Sequence, residues 1–372
     1  MTPCAYLEVS PMFEEHWTGI PNVVAAIAQN ALRDTTICWR FTFENIVIPD
    51  ELVKDFLRQR SGVGGLARLA DLVWTKPDIS YAEGLAGIGI FTGMKSVRGF
   101  YAREAMIIYD LSPLLTPRFH TRDNINHFSD RIRDDIESTD HFFCISKSAA
   151  SDVSAYFKVS AEKLGLLPMA VEYSPSDLSI AQAAAKRHDI EPYVVVLGTL
   201  EPRKNGRLVL EYIARNPSFA SRYRVVFVGR EGWLSERSEL MSKIIAAGVA
   251  EDRVFFTGYV SETEKLGLLY NASFCIYGSF FEGYGLPVLE AALLGKIVVC
   301  SSSSSMPEVA PQNCLFFDPN DISQFSRAIS VASQRSMRTR QPSQSFEDVR
   351  AKLESRNWVD CYNQIAEWIH RG

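Results

Sequence analysis

Two glutamates stand eight positions apart in the stretch FFEGYGLPVLE, residues 280–290. Glu282 falls in a loop with two glycines, which let backbone approach a ligand closely, and Glu290 falls about one turn into a helix that Pro287 indicates. A carboxylate accepts hydrogen bonds from sugar and ribose hydroxyls, and the free amides at a helix start favour an anion. The stretch therefore predicts a site for one ligand with two hydroxyl-bearing parts and phosphates between them.

Two adjacent cations, Arg203 and Lys204, occupy the stretch GTLEPRKN, residues 198–205, directly after an apolar run. The planar guanidinium of arginine can donate two parallel hydrogen bonds to phosphate oxygens, and lysine adds a mobile point charge. In open α/β sheets, ligands bind beyond the carboxyl ends of the strands. The pair therefore predicts a phosphate-binding site beyond the carboxyl end of a strand.

The N-terminal half offers two further strand exits with candidate residues. Gly19, in WTGIPN, lies between a predicted strand and a predicted helix, which is a position typical of phosphate binding. Asp110, in IIYDLSP, follows an apolar run. Its carboxylate there is suited to orient an incoming hydroxyl or to act as a base.

Each of these stretches also has an interpretation that needs no ligand. Glu290 can simply interact favourably with the positive end of the helix dipole, and Glu282 can be an acid of a surface loop. The paired cations can form a solvated basic turn, Gly19 a plain turn before a helix, and Asp110 a cap of the next segment. The residue types and spacings leave both interpretations open.

Several other kinds of site are absent from the sequence. The 7 cysteines include no C-x-x-C pair, so they predict buried thiols in a reducing compartment rather than disulfides or a zinc site. The 6 histidines show no metal-ligand spacing. A glycine run at residues 62–65 is similar to a dinucleotide fingerprint, but a helical pattern precedes it where a strand is required. An NAD-dependent dehydrogenase is therefore a disfavoured alternative.

The composition describes an ordinary globular protein of 372 residues, 47% hydrophobic and 22% charged. The formal net charge of −5 argues against nucleic acid as a partner. The N-terminus has no basic leader, and no apolar run approaches the ~18 residues of a membrane span. We therefore expect a cytoplasmic protein, with peripheral contact at the inner face of the membrane left open and the oligomeric state undetermined.

The elements that must position these residues alternate along the whole chain. Apolar runs predict strands at residues 5–9, 36–41, 105–109, 141–145, 193–197, 224–228, 253–257, 274–277, 296–300 and 314–317. Helical spacing predicts helices between them, for example at residues 21–32, 122–138, 207–215, 262–271 and 287–294, and a last helix at residues 358–369. Strands that alternate with helices predict parallel, doubly wound α/β domains.

Polar stretches indicate where the domains are joined. The stretch at residues 187–192 predicts a boundary between domain 1–188 and domain 189–345, and the stretch at residues 335–345 predicts a linker to a helical segment, 346–372. The serine run 301–305 predicts a strand–loop–helix crossover, in which Ser305 and Glu308 form a capping box around a proline.

Three segments resemble the retaining glycosyltransferases of family 4: GTLEPRKN, FFEGYGLPVLEA at residues 280–291, and YDLSPLLTPRFH at residues 109–120. Three more segments fit the order of that family: VVFVGREGW from residue 225, VFFTGYVSE from residue 254 and SSSMPEVA from residue 303. The resemblance implies the GT-B fold, in which two Rossmann-like domains face a central cleft. The first domain would bind the acceptor, the second the nucleotide sugar, and the last segment would pack back towards the first domain.

The resemblance also implies roles for individual residues. Glu282, Arg203, Lys204 and Asp110 would be catalytic, with the two cations on the donor diphosphate and Glu282 on the transferred sugar. Donor-binding positions would be Gly19, Gly198, Arg203, Lys204, Gly229, Tyr259, Val260, Glu282, Gly283, Tyr284, Gly285, Leu286 and Glu290, the last of these on the nucleotide ribose. Many relatives have a histidine before the aspartate of the third segment, where this chain has Tyr109.

The activity that the resemblance implies is transfer of a hexose, with retention, from a nucleotide diphosphate sugar to a hydroxyl of a glycan or lipid-linked glycan. We expect mannose from GDP-mannose, because the third segment is similar to bacterial transferases of surface polysaccharides. No metal cofactor is expected, since the built-in cations oppose the charge of the leaving diphosphate. A non-catalytic nucleotide-sugar-binding protein is the alternative that Tyr109 favours.

Overall fold

The computed structural model describes residues 2–75, 79–173, 177, 179–180, 191–230, 232, 237–311, 314–338, 351 and 355–371. Contacts divide the chain into two compact units. Unit 1 comprises Met1–Leu114, Asp123–Ala170 and Arg356–Gly372, and unit 2 comprises Leu115–Arg122 and Val171–Ser355. The domain ranges expected from the sequence, 1–188, 189–345 and 346–372, stay predictions.

Unit 1 is built on a seven-stranded sheet with the order β3-β2-β1-β4-β5-β6-β7. Its strands are β1 (Cys4–Glu8), β2 (Cys38–Phe43), β3 (Ile46–Ile48), β4 (Ile88–Phe91), β5 (Arg103–Ile108), β6 (His141–Cys144) and β7 (Leu164–Leu166). All neighbours are parallel except β2 and β3. The four strands predicted in this half are present, whereas β3, β4 and β7 were not predicted. Glycines interrupt the apolar pattern around β4.

The helices of this half connect and cover the sheet. They are α1 (Gly19–Ala31), α2 (Asp50–Gln59), α3 (Gly65–Thr75), α4 (Tyr81–Leu85), α5 (Ser112–Leu115), α6 (Arg122–Glu137) and α7 (Lys147–Phe157), joined by α15 (Trp358–His370) from the other end of the chain. The helix predicted at residues 358–369 is thus present. It belongs to unit 1, where it packs against α1.

Unit 2 is built on a six-stranded, fully parallel sheet with the order β10-β9-β8-β11-β12-β13. Its strands are β8 (Tyr193–Leu197), β9 (Arg224–Val228), β10 (Val254–Phe256), β11 (Cys275–Tyr277), β12 (Val298–Ser301) and β13 (Leu315–Phe317). Its helices are α8 (Gly206–Arg215), α9 (Pro217–Arg222), α10 (Arg237–Ala246), α11 (Glu262–Asn271), α12 (Leu286–Leu293), α13 (Met306–Val309) and α14 (Ile322–Arg338). All six strands predicted in this half are confirmed, with ends that differ by at most two residues.

Both faces of the unit 2 sheet are buried, as the continuous apolar run of β8 predicts. Val194 and Val196 pack on one face with Phe325 of α14. Val195 packs on the other face, with Leu269 of α11 and Val288 of α12 among its neighbours. Helices α11 and α12 therefore cover the same face of the sheet.

The predicted linker at residues 335–345 is wrong in its first part, because α14 continues through Arg338. The apolar residues Phe325, Ile329 and Ala332 recur at helical spacing and are buried, which keeps this polar-ended segment in a helix. Residues 339–345 and most of the predicted join at residues 187–192 lie outside the described residues. Within the described part of the chain, no helix has the length and apolar character needed to cross a bilayer.

Helix α15 is held in unit 1 by an aromatic and cationic stack. The His141 ring stacks on Trp368 with ring centroids 5.5 Å apart, and the Arg103 guanidinium lies 4.1 Å from the Trp368 centroid. Burial, together with the positive charges of Arg103 and Arg371, lowers the pKa of His141 to about 4. The imidazole is therefore neutral in the folded protein at neutral pH.

Unit 1 is expected to lose stability in mildly acidic solution through His141. Because its pKa is about 4 in the folded chain and about 6.5 in an unfolded one, its contribution is fully present above pH 6.5 and is lost as the pH falls towards 4. The urea unfolding midpoint should therefore fall more steeply between pH 7 and pH 4.5 in the wild type than in His141→Gln, which lacks the titrating ring. Equal slopes for the two proteins would show that His141 does not contribute.

Candidate functional site

The sequence-predicted stretches of unit 2 meet where its strand order reverses. Strands β8 and β11 are neighbours, while the chain proceeds outward from them in opposite directions. Loop 198–205 leaves the carboxyl end of β8, and loop 278–285 leaves the carboxyl end of β11. This topological switch point is the position at which open α/β sheets bind ligands.

A buried amide ties the two loops together. Arg203 and Lys204 lie on a short 3₁₀ turn, Pro202–Lys204, that ends at Asn205 with φ 56°. The Asn205 side chain donates to the carbonyl oxygen of Gly278 at 3.2 Å and to that of Pro319 at 2.9 Å. The turn that carries the cations is thereby fixed to the loop that leads to Glu282.

Both cations form ion pairs with buried carboxylates. The Arg203 guanidinium contacts Glu201 at 2.7 Å and Glu282 at 3.3 Å, and it donates to the carbonyl oxygen of Phe281 at 2.9 Å. The Lys204 ammonium contacts Glu282 at 2.6 Å and the Tyr277 hydroxyl at 3.2 Å. The structure thus brings Arg203, Lys204 and Glu282 into one cluster, which we call the switch-point cluster and which also contains Glu201.

Glu282 is ionised in this cluster although it is only 7% exposed. Burial acts to raise the pKa of its carboxyl group, but the charges of Lys204 and Arg203 outweigh that effect and lower the pKa to about 2. At any ordinary pH the group is therefore a hydrogen-bond acceptor and cannot serve as a general acid.

Two serines shape the loop that carries Glu282. The hydroxyl of Ser304 donates to the Glu282 carbonyl oxygen at 2.7 Å, and that of Ser305 donates to the carbonyl oxygens of Glu282 and Tyr284, each at 2.8 Å. The predicted capping box of Ser305 and Glu308 is therefore wrong, because the Ser305 side chain makes no cap hydrogen bond to α13. Tertiary hydrogen bonds to buried carbonyls have taken its place.

The start of α12 is fixed at Gly285. This residue is the N-cap with φ 108°, a conformation that favours glycine, and a methyl group added there would lie 2.1 Å from the Met306 terminal carbon. Leu286 is the first helical residue, with Pro287 in the first turn as predicted. Gly283 is buried and precedes the turn, so the loop and the helix start follow one another as a phosphate-type site requires.

Glu290 lies one turn into α12 and makes a separate ion pair. The Lys265 ammonium, on α11, donates to Glu290 Oε1 at 2.9 Å. Only 16% of the Glu290 side chain and 18% of the Lys265 side chain are exposed. The acid predicted to bind ribose thus has a fixed cationic partner.

The loops after β9 and β10 meet through two glycines. Gly229 and Gly258 form an isolated antiparallel bridge, which places the Gly258–Val260 loop beside the exit of β9. A methyl group at Gly229, where φ is 150°, would lie 2.2 Å from the Gly198 carbonyl oxygen. Gly198 and Gly229 therefore lie against each other at the carboxyl edge of the sheet. Tyr259, which follows Gly258 in the sequence, is 44% exposed.

Replacing Gly229 with alanine should destabilise the protein by about 3 kcal/mol, because the rigid backbone of loop 198–205 cannot move aside without strain. Gly258→Ala is the matched control: its φ of 69° is strained, but no atom of the described residues lies within 4 Å of the added methyl. We expect that control to cost about 1 kcal/mol. Thermal unfolding checks both values, and equal losses in the two variants would contradict the close packing of Gly229.

The segment Leu115–Arg122 also lies on unit 2 beside this site. The Phe119 ring stacks on that of Phe280, with centroids 4.9 Å apart and an interplanar angle of 13°. The Arg118 guanidinium lies 4.6 Å from the Phe119 centroid and 5.6 Å from that of Phe280. Part of the segment YDLSPLLTPRFH therefore packs against Phe280, which stands two positions before Glu282 in the sequence.

The other two predicted residues belong to unit 1. Gly19 begins α1 with φ 37°, and a methyl group added there would meet no atom within 4 Å. Asp110 follows β5 and accepts a hydrogen bond from the Ser112 amide at 2.8 Å, as a local cap does. The adjacent Tyr109 hydroxyl is buried without a hydrogen-bond partner among the described residues, and burial raises its pKa.

Four contributors to the unit 2 site were missed in the sequence. Glu201 stood inside the stretch GTLEPRKN and carried a signal, since an acid two positions before Arg203 is within reach in a tight turn. Tyr277, Lys265 and Ser304 carried none, because their contacts arise only from the packing of strands and helices. Among the described residues, no group of three or more histidine, cysteine or acidic side chains is arranged to hold a metal ion.

Comparison with protein families identifies the second half of the chain. Residues 180–344 match the model described as "Glycosyl transferases group 1". Over these residues the chain is similar to the group 1 glycosyltransferases, and we call this range the glycosyltransferase domain. The glycosyltransferase domain includes the whole switch-point cluster together with Lys265 and Glu290.

Proteins similar to this chain in sequence include bacterial mannosyltransferases. O-antigen chain mannosyltransferase B of Escherichia coli is 29% identical over 238 residues, 62% of this chain and 61% of that protein. A serotype-specific mannosyltransferase of the same species is 26% identical over 238 residues, 62% of this chain and 29% of that protein. The match thus spans less than two thirds of the length of these relatives.

Solved structures share the fold over the whole chain. A crystal structure of Anabaena HepE in complex with UDP and glucose has a TM-score of 0.68 at 16% identity and covers 100% of both chains. WaaG, a glycosyltransferase involved in lipopolysaccharide biosynthesis, has a TM-score of 0.62 at 13% identity and covers 99% of this chain and 100% of its own. At such low sequence identities, these similarities show only the fold. They confirm the predicted GT-B fold of two parallel-sheet α/β units.

Proposed function

We propose that the protein is a retaining glycosyltransferase that moves a hexose from a nucleotide diphosphate sugar to an acceptor hydroxyl. The observation that carries the proposal is the switch-point cluster: two cations and an ionised carboxylate at the position where a parallel sheet binds ligands. The group 1 glycosyltransferase domain around it supports the same reaction class.

The cations would oppose the charge that grows on the leaving diphosphate. Negative charge develops on this group as the sugar departs with oxocarbenium character, and fixed positive groups that meet it lower the barrier. Arg203 is held by Glu201, Glu282 and a carbonyl oxygen, so its guanidinium needs little reorganisation when donor binds.

Donor binding would exchange the partners of Lys204. Before binding, the two cations face two carboxylates, Glu201 and Glu282, so their charges are formally compensated. A diphosphate that approaches Lys204 would compete with Glu282 for its ammonium. The released carboxylate would then accept hydrogen bonds from the hydroxyls of the transferred sugar.

The remaining assignments rest on the resemblance and on the relatives. We propose mannose as the sugar and GDP-mannose as the donor, because the relatives of the domain include O-antigen mannosyltransferases. A phosphate oxygen of the donor would take the acceptor proton, with Asp110 orienting the acceptor. The acceptor would be a glycan or lipid-linked glycan of a surface polysaccharide, handled without a metal ion at the inner face of the membrane.

Binding and turnover test the proposal separately. Thermal shifts with GDP, UDP, GDP-mannose and UDP-glucose should show stabilisation by the cognate donor, since a ligand that binds only the folded state raises its melting temperature. Incubation of that donor with a mannose-containing acceptor should yield a product whose anomeric proton signal shows retention. An inverted product would contradict the mechanism. Stabilisation without transfer to any acceptor and without donor hydrolysis would favour the non-catalytic binding protein.

A further inference from the structure

Lys265 makes contacts that no sequence motif indicates. Its ammonium donates to Glu290 Oε1 on α12 at 2.9 Å and to Glu262 Oε1 on its own helix at 3.1 Å. The start of α11 is fixed by a capping box between Ser261 and Glu264. One partly buried cation thus joins two carboxylates at the carboxyl edge of the unit 2 sheet, next to the loop of Tyr259.

The position of Lys265 is set by packing on both sides. Leu269 of α11 and Val288 of α12 are buried in the same apolar cluster, so the two helices are held side by side on one face of the sheet. Burial acts to lower the pKa of Lys265, but the carboxylates of Glu290 and Glu262 outweigh it and raise the pKa overall. The side chain is therefore a permanent cation with a fixed partner.

We propose that Lys265 is a positioning residue that holds the Glu290 carboxylate for the ribose hydroxyls of the donor nucleotide. This inference rests on the proposed function, in which Glu290 contacts that ribose. The ammonium occupies Oε1, which fixes the rotamer of Glu290 and leaves Oε2 with its acceptor capacity. The conformational entropy of a glutamate side chain is then lost before donor binds rather than on binding.

Charge compensation gives Lys265 a second effect on the same residue. An ionised glutamate near a diphosphate repels it, and within a protein that repulsion is worth several times more than in water. Lys265 lies 2.9 Å from Glu290 and offsets part of its charge, since the ammonium is shared with Glu262, while leaving Glu290 able to accept hydrogen bonds. Glu290 can therefore select hydroxyls without weakening the hold on phosphate.

The test compares nucleotides with and without ribose hydroxyls. Calorimetry would measure the Kd of GDP, of 2′,3′-dideoxy-GDP and of inorganic pyrophosphate for the full chain. We expect the wild type to prefer GDP over the dideoxy analogue about tenfold, or about 1.4 kcal/mol. In Lys265→Met that preference should fall to within about twofold while pyrophosphate affinity changes less, and Lys265→Arg should keep most of the preference.

Two control variants separate the positioning of Glu290 by Lys265 from a purely structural role in holding α11 and α12 together. Lys243→Met removes an exposed lysine–glutamate pair, Lys243 to Glu239 at 2.6 Å on α10, and should leave the preference unchanged. If Lys265→Met lowers the yield of folded protein, Lys265→Met combined with Glu262→Gln removes a carboxylate left without its partner. That double variant should fold and should still lack the preference.

The outcomes distinguish the inference from the function beneath it. If Glu290→Gln loses the preference for GDP over the dideoxy analogue and Lys265→Met keeps it, Lys265 only holds α11 and α12 together and the inference is overturned. If the wild type has no preference, or if Glu290→Gln keeps it, the ribose role of Glu290 itself is wrong. Loss in both Glu290→Gln and Lys265→Met, with rescue by Lys265→Arg, supports the inference.

Discussion

Replacing Arg203 with alanine is expected to lower kcat/KM for the donor about 10³-fold, because a fixed positive group that faces developing negative charge is worth about 3–4 kcal/mol in the transition state. The same change should destabilise the protein by about 3 kcal/mol. Arg203 is the 2.7 Å partner of Glu201, whose side chain is only 3% exposed, and its removal leaves a buried carboxylate unpaired. Steady-state kinetics and chemical denaturation measure the two losses.

A second substitution separates these two effects of Arg203. In Arg203→Ala with Glu201→Gln, the buried charge is gone, so most of the lost stability should return while turnover stays low. Arg207→Ala, which removes an exposed pair with Glu211 four residues later, is the matched control and should change neither quantity. Activity that recovers together with stability in the double variant would remove Arg203 from the chemistry and leave it a structural role.

The central strands of the unit 2 sheet were predictable because they are buried on both faces and therefore appear in the sequence as uninterrupted apolar runs. The run Tyr193–Leu197 matches the observed strand β8 at both ends. The short strands of unit 1 lack that signal: β4 follows Gly87 and contains Gly89, where a side chain would collide with the Tyr101 ring. Its glycine is required by tertiary packing, and the same residue hides the strand from any periodicity argument.

The site was predictable where function is carried by short stretches and unpredictable where it depends on distant pairs. Glu282 and the two cations lie in loops that follow predicted strands, so the strand prediction placed them at the carboxyl edge of one sheet; the structure shows that these two strands are neighbours. Lys265 stands 25 positions before Glu290, and the contact exists only because α11 and α12 pack on the same face of the sheet. Ser305 shows the converse: the capping-box spacing was present, but buried carbonyl oxygens of loop 282–284 offered better partners for its hydroxyl.

Glu282→Gln is expected to move binding and turnover in opposite directions. The carboxylate lies 2.6 Å from Lys204 and 3.3 Å from Arg203, so in the unliganded protein it compensates the charges that a diphosphate needs. Its removal should tighten the binding of inorganic pyrophosphate by at least about tenfold, or about 1.4 kcal/mol, since a unit charge about 4 Å away is worth about 4 kcal/mol at an effective dielectric constant of about 20. Calorimetry with pyrophosphate measures this gain.

Turnover of the same variant should fall about 10²-fold, because hydrogen bonds from sugar hydroxyls to a charged acceptor are worth about 1.5–3 kcal/mol and an amide oxygen replaces them only in part. Glu211→Gln, which removes a half-buried acid of α8 outside the switch-point cluster, should alter neither quantity. With a pKa of about 2, Glu282 stays ionised throughout the working range, so the acidic limb of the wild-type pH–rate profile should persist unchanged in the variant. Weaker pyrophosphate binding in Glu282→Gln would mean that the carboxylate organises the two cations more than it neutralises them, and the exchange of partners at Lys204 would have to be abandoned.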